Sequence, residues 1–198
     1  TLAREMGVGL GVTGAIKVDR HMKTNLEDVY SAGDCIEMYN TINGNPVYKP
    51  LGSTANKTGT IAGSNVVGIE DEFRGVLGTG IYRVFDIAVG ATGLSEDEAI
   101  KAGYEVVVSL DQRPNKPEYM GGKPILIKAV AEKRTGRLLG GQLVGYEGVD
   151  RRLDVLATAI TFKAIAEDLM HLDLAYSPPY STTRDNLYYT GVKLKAKL

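Results

Sequence analysis

The sequence predicts an α+β fold, in which an antiparallel sheet carries helices on one side and is preceded by a smaller α/β segment. Two observations predict the sheet. Runs rich in Val, Ile, Leu and Tyr dominate the second part of the chain, and only two helical patterns interrupt them. A third observation is that strand-like patterns dominate the sequence after residues 70–74, whereas helical and strand-like patterns are mixed before them. We therefore expect a boundary between residues 1–73 and residues 74–198.

In the first segment, helical and strand-like patterns follow one another. Residues 2–6 are spaced like the last turns of an amphipathic helix. Residues 15–19 alternate in polarity, which predicts a strand, and the apolar run 29–32 predicts a short buried strand that stops at Gly33-Asp34. Small residues at helical spacing predict a helix over residues 53–67 that can approach a neighbour closely.

The second segment contains the strands of the predicted sheet. Their residues are 80–91, 105–110, 124–132 and 137–144. The last two are joined by a short turn whose Gly136 suits the positive φ of a tight hairpin.

Two helices are predicted in the same segment. Ser95-Glu96-Asp97-Glu98 is a capping box that should start a short helix ending near Lys101. A longer amphipathic helix should run from about Val149 to Met170, with Arg151, Arg152 and Asp154 on its exposed face. After it we expect a final loop and a solvated tail that carries three lysines, Lys193, Lys195 and Lys197.

Composition excludes several classes of partner. With 23 basic and 24 acidic residues, the net charge of -1 gives no attraction for nucleic acid or an anionic membrane. No apolar run approaches the roughly 18 residues of a membrane span. The first residues lack an initiator Met and a signal-peptide pattern, so we expect a piece of a longer protein.

Cysteine and histidine are scarce. A single cysteine, Cys35, excludes an internal disulfide framework, fits a cytoplasmic protein and is expected to be a buried structural thiol. His21 and His171 are far apart in sequence and have no ligand-like spacing, so no metal site is expected.

The most informative stretch ends at Gly33-Asp34. A carboxylate at the end of a buried strand lies where open α/β sheets bind ligands, although Gly-Asp by itself is also a common turn. The stretch from Thr24 to Asp34, closing in Tyr-Ser-Ala-Gly-Asp, resembles the second FAD-binding motif of flavoproteins that have two dinucleotide-binding domains. The resemblance implies that Asp34 binds the flavin ribitol chain, while Ala32 and Gly33 lie by the pyrophosphate side of FAD.

The helix that begins near Ser53 also bears a resemblance to these flavoproteins. It resembles the helix of these flavoproteins whose N-terminus faces the flavin ring, which implies contacts from Ser53, Thr54 and Ala55. The alternative is a plain core helix capped by Ser53. The glycines of residues 9–14 fit G-x-G-x-x-G literally, but they follow a helix and lead into a strand, so they do not predict a phosphate loop.

From residue 74 onward the chain resembles the dimerisation domain of FAD-dependent pyridine nucleotide-disulfide oxidoreductases. The similar segments are residues 93–99, 135–145 and 173–181. This resemblance makes the first segment the C-terminal remnant of an FAD-binding domain. It also implies FAD and NAD(P)H as cofactors of the intact protein, a homodimer, and no activity of this piece alone.

The segment Tyr-Ser-Pro-Pro-Tyr-Ser at residues 176–181 replaces a histidine-containing segment of other family members and resembles the coenzyme A-disulfide reductase and NADH oxidase subgroup. This implies that Tyr176, Tyr180 and Tyr119 reach the sulfur of a small-molecule disulfide bound to the partner subunit. Three alternatives stay open: reduction of oxygen, a non-catalytic dimerisation module, and tyrosines that only pack a rigid loop.

Overall fold

The structure is a computed structural model and describes residues 2–198. The chain forms two compact units, which divide between Gly78 and Thr79. Each unit is described separately.

The first unit contains little regular structure besides one long helix. Helix α1 spans Leu2–Glu5, and strands β1 (Met38–Tyr39) and β2 (Pro46–Val47) form a short antiparallel pair. Helix α2 spans Gly52–Val66, which confirms the predicted helix to within a residue. The buried core of this unit combines six apolar side chains: Met22, Ile36, Met38, Ile61, Phe73 and Val76.

Two strands predicted in this unit are wrong. In the region of residues 15–19, pairing is limited to isolated bridges of Ile16 with Leu10 and Ile36. In residues 29–32, Tyr30 makes one bridge to Lys23, and the run is only partly buried. Apolar alternation produces a strand only where a neighbouring strand continues alongside it, and turns interrupt both stretches of pairing.

The second unit is built on an antiparallel sheet, as predicted, and this sheet has five strands rather than the four expected. Its order is β3-β4-β7-β6-β5. The strands are β3 (Gly80–Val84), β4 (Ile87–Gly93), β5 (Val106–Pro114), β6 (Pro124–Glu132) and β7 (Leu138–Gly145). Its helices are α3 (Glu96–Lys101), α4 (Val149–Thr161) and α5 (Asn186–Lys195).

Helices α4 and α5 pack on the same face of this sheet. Ile127, Leu143 and Gly90 lie opposite one another on β6, β7 and β4, so they share a face. A methyl group built on Gly90 would meet Leu153 of α4, and Ile127 borders a small cavity together with Thr190 of α5. The expected arrangement of helices on one side of an antiparallel sheet is therefore confirmed.

One strand that was predicted in the second unit is in fact two strands. Residues 80–91 do not form a single strand, because β3 and β4 pair as a hairpin with Phe85 and Asp86 at its tip. Phe85 has a φ of 51° and is 95% exposed. The tip has no Gly, Asn or Pro, and Asp86 alone is a weak turn signal in the sequence.

The long helix predicted to reach Met170 ends at Thr161. Lys163 adopts the left-handed region with a φ of 59°, and Ala164 donates its backbone N–H to Ala159 O. A short 3₁₀ turn, Asp168–Met170, follows. The apolar spacing continues past Thr161, but the left-handed residue prevents continuation of the helix.

Helix α5 replaces the expected final loop. Asp185 caps it by accepting a hydrogen bond from Leu187 N, and its lysines are held rather than simply solvated: Lys193 pairs with Asp111 at 2.8 Å. Partial burial alone would raise the pKa of Asp111. Hydrogen bonds from Lys193 and Arg113 outweigh that effect and hold the pKa below its ordinary value.

The local motifs form as the sequence indicates. Ser95 Oγ accepts from Glu98 N at 3.2 Å, while Ser95 N donates to Glu98 Oε2 at 2.8 Å, so the capping box is confirmed. Gly136, with a φ of 74°, turns the chain between β6 and β7. Across residues 2–198, no helix combines the length and apolarity that a bilayer crossing needs.

Candidate functional site

The segment Ala32-Gly33-Asp34 forms a tight turn rather than the end of a strand. Ala32 is extended, with φ -147° and ψ 167°, and Gly33–Cys35 forms a 3₁₀ turn that Gly33 begins with a φ of 80°. A side chain at that φ would be strained, which explains the glycine. Asp34 is exposed at the tip, so its carboxylate is free to meet an external group.

This turn lies against helix α2. The backbone N–H of Gly33 donates to Thr58 Oγ1 at 3.0 Å, and a methyl group built on Gly33 would lie 3.6 Å from Ala55 Cβ. Of the residues expected to contact a cofactor, Gly33 and Ala55 are therefore brought together. The buried strand that was expected to carry Asp34 is absent, and packing on α2 holds the turn instead.

The N-terminus of α2 has no side-chain cap. Leu51 occupies the cap position, and the chain makes no side-chain hydrogen bond there. Ser53 lies inside the first turn and is exposed, so the alternative of a helix capped by Ser53 is wrong. Thr54 is buried, and its backbone N–H donates to Leu51 O. An uncapped helix N-terminus carries partial positive charge and stabilises negative charge placed before it.

These features fit FAD by their chemistry. An exposed carboxylate accepts hydrogen bonds from the hydroxyls of a sugar-alcohol chain, a glycine allows close approach of the main chain, and an uncapped helix end suits an electron-rich ring. A metal ion has no comparable site, because residues 2–198 contain no group of three or more His, Cys, Asp and Glu placed to hold one.

Cys35 is exposed, and the expectation of a buried thiol is wrong. Its Sγ donates to Ala32 O at 3.2 Å and lies 3.3 Å from Ser31 Oγ. The thiol therefore helps to close the turn that carries Asp34, since both contacts lie within four residues of it.

The three candidate tyrosines all reach solvent. Tyr119 is 77%, Tyr176 49% and Tyr180 70% exposed. Tyr119 sits in the 3₁₀ turn Glu118–Met120, whereas Tyr176 and Tyr180 share the loop before α5. A cavity of about 260 Å³ borders Tyr176 and is also lined by Asp173, Ser181, Arg184 and Tyr188. Of the three phenols, that of Tyr176 lies beside this polar cavity, where it can donate a hydrogen bond to a ligand.

The loop that carries Tyr180 is held by hydrogen bonds. Tyr180 N and Ser181 N both donate to Ser177 O, at 2.9 and 3.1 Å. Arg151 Nη2 donates to Tyr180 O at 3.4 Å, and Ser181 Oγ donates to Asp185 Oδ2 at 3.3 Å. The loop is thereby fixed to the start of both α4 and α5.

Arg152 is a second residue whose burial was predicted wrongly from the sequence. It is only 1% exposed, although an exposed position was expected. Its guanidinium lies 2.8 Å from Asp185 Oδ2 and also donates to Asn115 O and Gly148 O. Burial lowers the pKa of Arg152, and the Asp185 carboxylate counteracts that effect.

A signal for this burial exists in the sequence. The buried residues of α4 are Val149, Arg152, Leu153, Leu156 and Ile160. These follow the i, i+3, i+4, i+7 spacing of a core-facing stripe, so Arg152 occupies a core position. Because arginine is charged, Arg152 was expected on the exposed face of the helix instead.

The chain matches two known protein families. The family described as pyridine nucleotide-disulphide oxidoreductase, dimerisation domain, matches residues 81–187, and the family described as pyridine nucleotide-disulphide oxidoreductase matches residues 1–69. The two matches fall one in each compact unit.

Two curated relatives align over nearly the whole chain. The NAD(P)H sulfur oxidoreductase (CoA-dependent) of Pyrococcus furiosus is 44% identical over 98% of this chain and 44% of its own length. The NADH oxidase of Methanocaldococcus jannaschii is 33% identical over 94% of this chain and 41% of its own length. The chain thus spans less than half the length of these relatives.

A solved structure agrees with the fold. The NAD-dependent persulfide reductase of A. fulgidus superposes with a TM-score of 0.93 at 37% identity, over 96% of this chain and 36% of that protein. The dimerisation-domain match alone covers more than half of the 198 residues. On these grounds the chain belongs to the pyridine nucleotide-disulphide oxidoreductase family.

Proposed function

We propose that this chain is the C-terminal part of a flavoprotein that passes electrons from NAD(P)H through FAD to a disulfide such as coenzyme A disulfide. The observation that carries the proposal is the Ala32-Gly33-Asp34 turn, which packs on α2 and leaves the Asp34 carboxylate exposed. The names of the P. furiosus and A. fulgidus proteins, a CoA-dependent sulfur oxidoreductase and a persulfide reductase, support a sulfur substrate.

The two segments have different tasks in this proposal. Residues 1–73 are the C-terminal remnant of the FAD/NAD(P)-binding region, and residues 74–198 are the dimerisation domain of a homodimer. The family matches at residues 1–69 and 81–187 support this division. We place the protein in the cytoplasm, since its one cysteine is free, and we propose neither a membrane nor nucleic acid as a partner.

The first segment would bind the cofactor. FAD, when bound, supplies the acceptor for the hydride of NAD(P)H. Asp34 would accept hydrogen bonds from the ribitol hydroxyls, and the main chain of Ala32 and Gly33 would hold the pyrophosphate side of FAD. The first turn of α2, with Ser53, Thr54 and Ala55, would face the ring, where the partial positive charge of the uncapped helix end would stabilise negative charge.

The second segment would serve the substrate. Reduction of one disulfide consumes the hydride of NAD(P)H and one proton, and it yields two thiols and NAD(P)⁺. Tyr176, Tyr180 and Tyr119 donate hydrogen bonds to the sulfur of the leaving thiolate, a role that their exposed hydroxyl-bearing side chains support. This piece alone would have no turnover, because residues 1–198 contain neither a nucleotide-binding glycine loop nor the redox cysteine of the family.

The test is a turnover assay on the full-length protein. We expect yellow, flavin-containing protein whose oxidation of NAD(P)H without oxygen requires coenzyme A disulfide and yields two thiols per nucleotide. Oxidation that needs oxygen and ignores the disulfide would favour an NADH oxidase, the second candidate, which the M. jannaschii relative supports. A full-length protein without flavin would leave only a dimerisation module.

A further inference from the structure

We propose that Arg152 and Asp185 are positioning residues that hold the Tyr119 loop and the Tyr176–Tyr180 loop in one fixed arrangement. The tyrosine loops are residues 115–123 and 176–185. The inference rests on the proposed function in one respect only, namely that these tyrosines serve the substrate. The connection itself lies in hydrogen bonds of a single buried guanidinium.

On one side, the guanidinium holds the loop of Tyr180. Arg152 Nε donates to Asp185 Oδ1 at 3.2 Å, and Nη2 lies 2.8 Å from Oδ2 of the same carboxylate, so the pair is bidentate. Asp185 in turn accepts from Ser181 Oγ and from Leu187 N, at 3.3 and 3.1 Å. Asp185 therefore fixes the end of this loop to α5.

On the other side, the same guanidinium holds the loop of Tyr119. Arg152 Nη2 donates to Asn115 O at 3.1 Å. Asn115 closes this loop by exchanging hydrogen bonds with Lys123: its backbone N–H donates to Lys123 O, and its Oδ1 accepts from Lys123 N, each at 2.8 Å. Arg152 therefore fixes the base of the loop, at whose far end Tyr119 lies.

The chemistry of this group explains why it couples the two loops. A guanidinium is planar and its donors have fixed directions, so one loop cannot shift without weakening a bond to the other. Buried ion pairs add little net stability compared with well-packed apolar side chains. A buried pair at this place is therefore better explained by the geometry it imposes on both loops.

Hydrogen exchange of the flavin-loaded full-length protein tests the coupling. Arg152→Lys keeps the charge but loses the fork, so we expect the amides of Lys123 and Ser181 to exchange at least about tenfold faster, both together. Lys133→Met is the matched control, because it breaks the exposed Lys133–Glu105 ion pair at the far end of β6. It should leave both loops unchanged.

The double variant Arg152→Met with Asp185→Asn separates positioning from stability. It removes both charges and keeps an oxygen that can cap α5, so we expect global unfolding close to that of the wild type, while both loops still exchange fast. In turnover, kcat for the disulfide should fall several-fold, whereas the rate of flavin reduction and the KM for NAD(P)H should stay unchanged.

Several outcomes would overturn the inference. In Arg152→Lys, these are faster exchange in only one loop or wild-type exchange in both. In the double variant, it is wild-type stability together with wild-type protection of the loops. The exchange readout needs no substrate. A wild-type protein that fails to reduce disulfides would therefore refute the proposed function and leave the coupling of the loops to be decided by exchange alone.

Discussion

Replacement of Asp34 should weaken flavin binding without affecting the fold. The carboxylate is exposed at the tip of its turn, and the turn is held through the main chain of Gly33 and the thiol of Cys35. Substitutions of exposed residues of this kind change the free energy of unfolding by no more than about 0.5 kcal/mol. The whole effect should therefore appear in cofactor affinity.

The expected size follows from the lost hydrogen bond. A hydrogen bond to a charged group contributes about 1.5–3 kcal/mol, which corresponds to a Kd for FAD raised about 10- to 150-fold. Asp34→Asn keeps one acceptor oxygen and should lie at the lower end of this range. Asp34→Ala keeps none and should lie at the upper end.

The assay is equilibrium binding of FAD to apoprotein of the full-length chain, followed by flavin fluorescence. Glu27→Gln is the control, because Glu27 is an exposed carboxylate in the loop before the same turn. The reasoning is refuted if Asp34→Ala binds FAD as the wild type does. It is equally refuted if the Asp34→Ala apoprotein unfolds at a lower denaturant concentration than the wild type, so that lost stability accounts for the weaker FAD binding.

Three further outcomes are expected. Tyr180→Phe should lower kcat for the disulfide about 10- to 100-fold without changing flavin reduction, whereas Tyr82→Phe should change neither; stopped-flow kinetics checks both. A methyl group on Gly141 would lie 3.0 Å from Leu156 Cδ1. Gly141→Ala should therefore cost about 1–3 kcal/mol and Leu156→Ala about 2–5 kcal/mol, and the double variant less than their sum in urea unfolding. Because the pKa of Asp111 is lowered in the folded state, its contribution to stability is complete above an unfolded pKa of about 3.9 and is lost as the pH falls below it. Asp111→Asn should flatten the acid side of the stability profile, measured by denaturation between about pH 3 and 5.

Short-range patterns were the most predictable part of the fold. The strand over residues 124–132 has the predicted bounds, and the capping box at Ser95 forms with both of its hydrogen bonds. Each depends on residues close in sequence, either on side chains that alternate between two faces or on two side chains three residues apart. Both patterns are visible locally in the sequence, and the strand also has β5 and β7 as neighbours along its length.

Features that depend on distant partners were less predictable. Apolar residues at 15–19 and 29–32 resemble strands, but strands require neighbours along their length, and here they make isolated bridges. Arg152 was misplaced for a similar reason, since the burial of its charge depends on Asp185, which is distant in sequence. A turn at Gly33-Asp34 was predicted from the sequence and is present, whereas its contact with α2 became visible only in three dimensions.

The glycines at positions 90 and 141 have a consequence beyond the core. Leu153 and Leu156 of α4 occupy the space above them, so the helix axis sits nearer to the sheet than it could over larger residues. That depth also determines how far residue 152 extends toward Asn115. A larger residue at position 90 or 141 would thus shift the two tyrosine loops through the height of one helix, without changing any residue that we propose to meet the substrate.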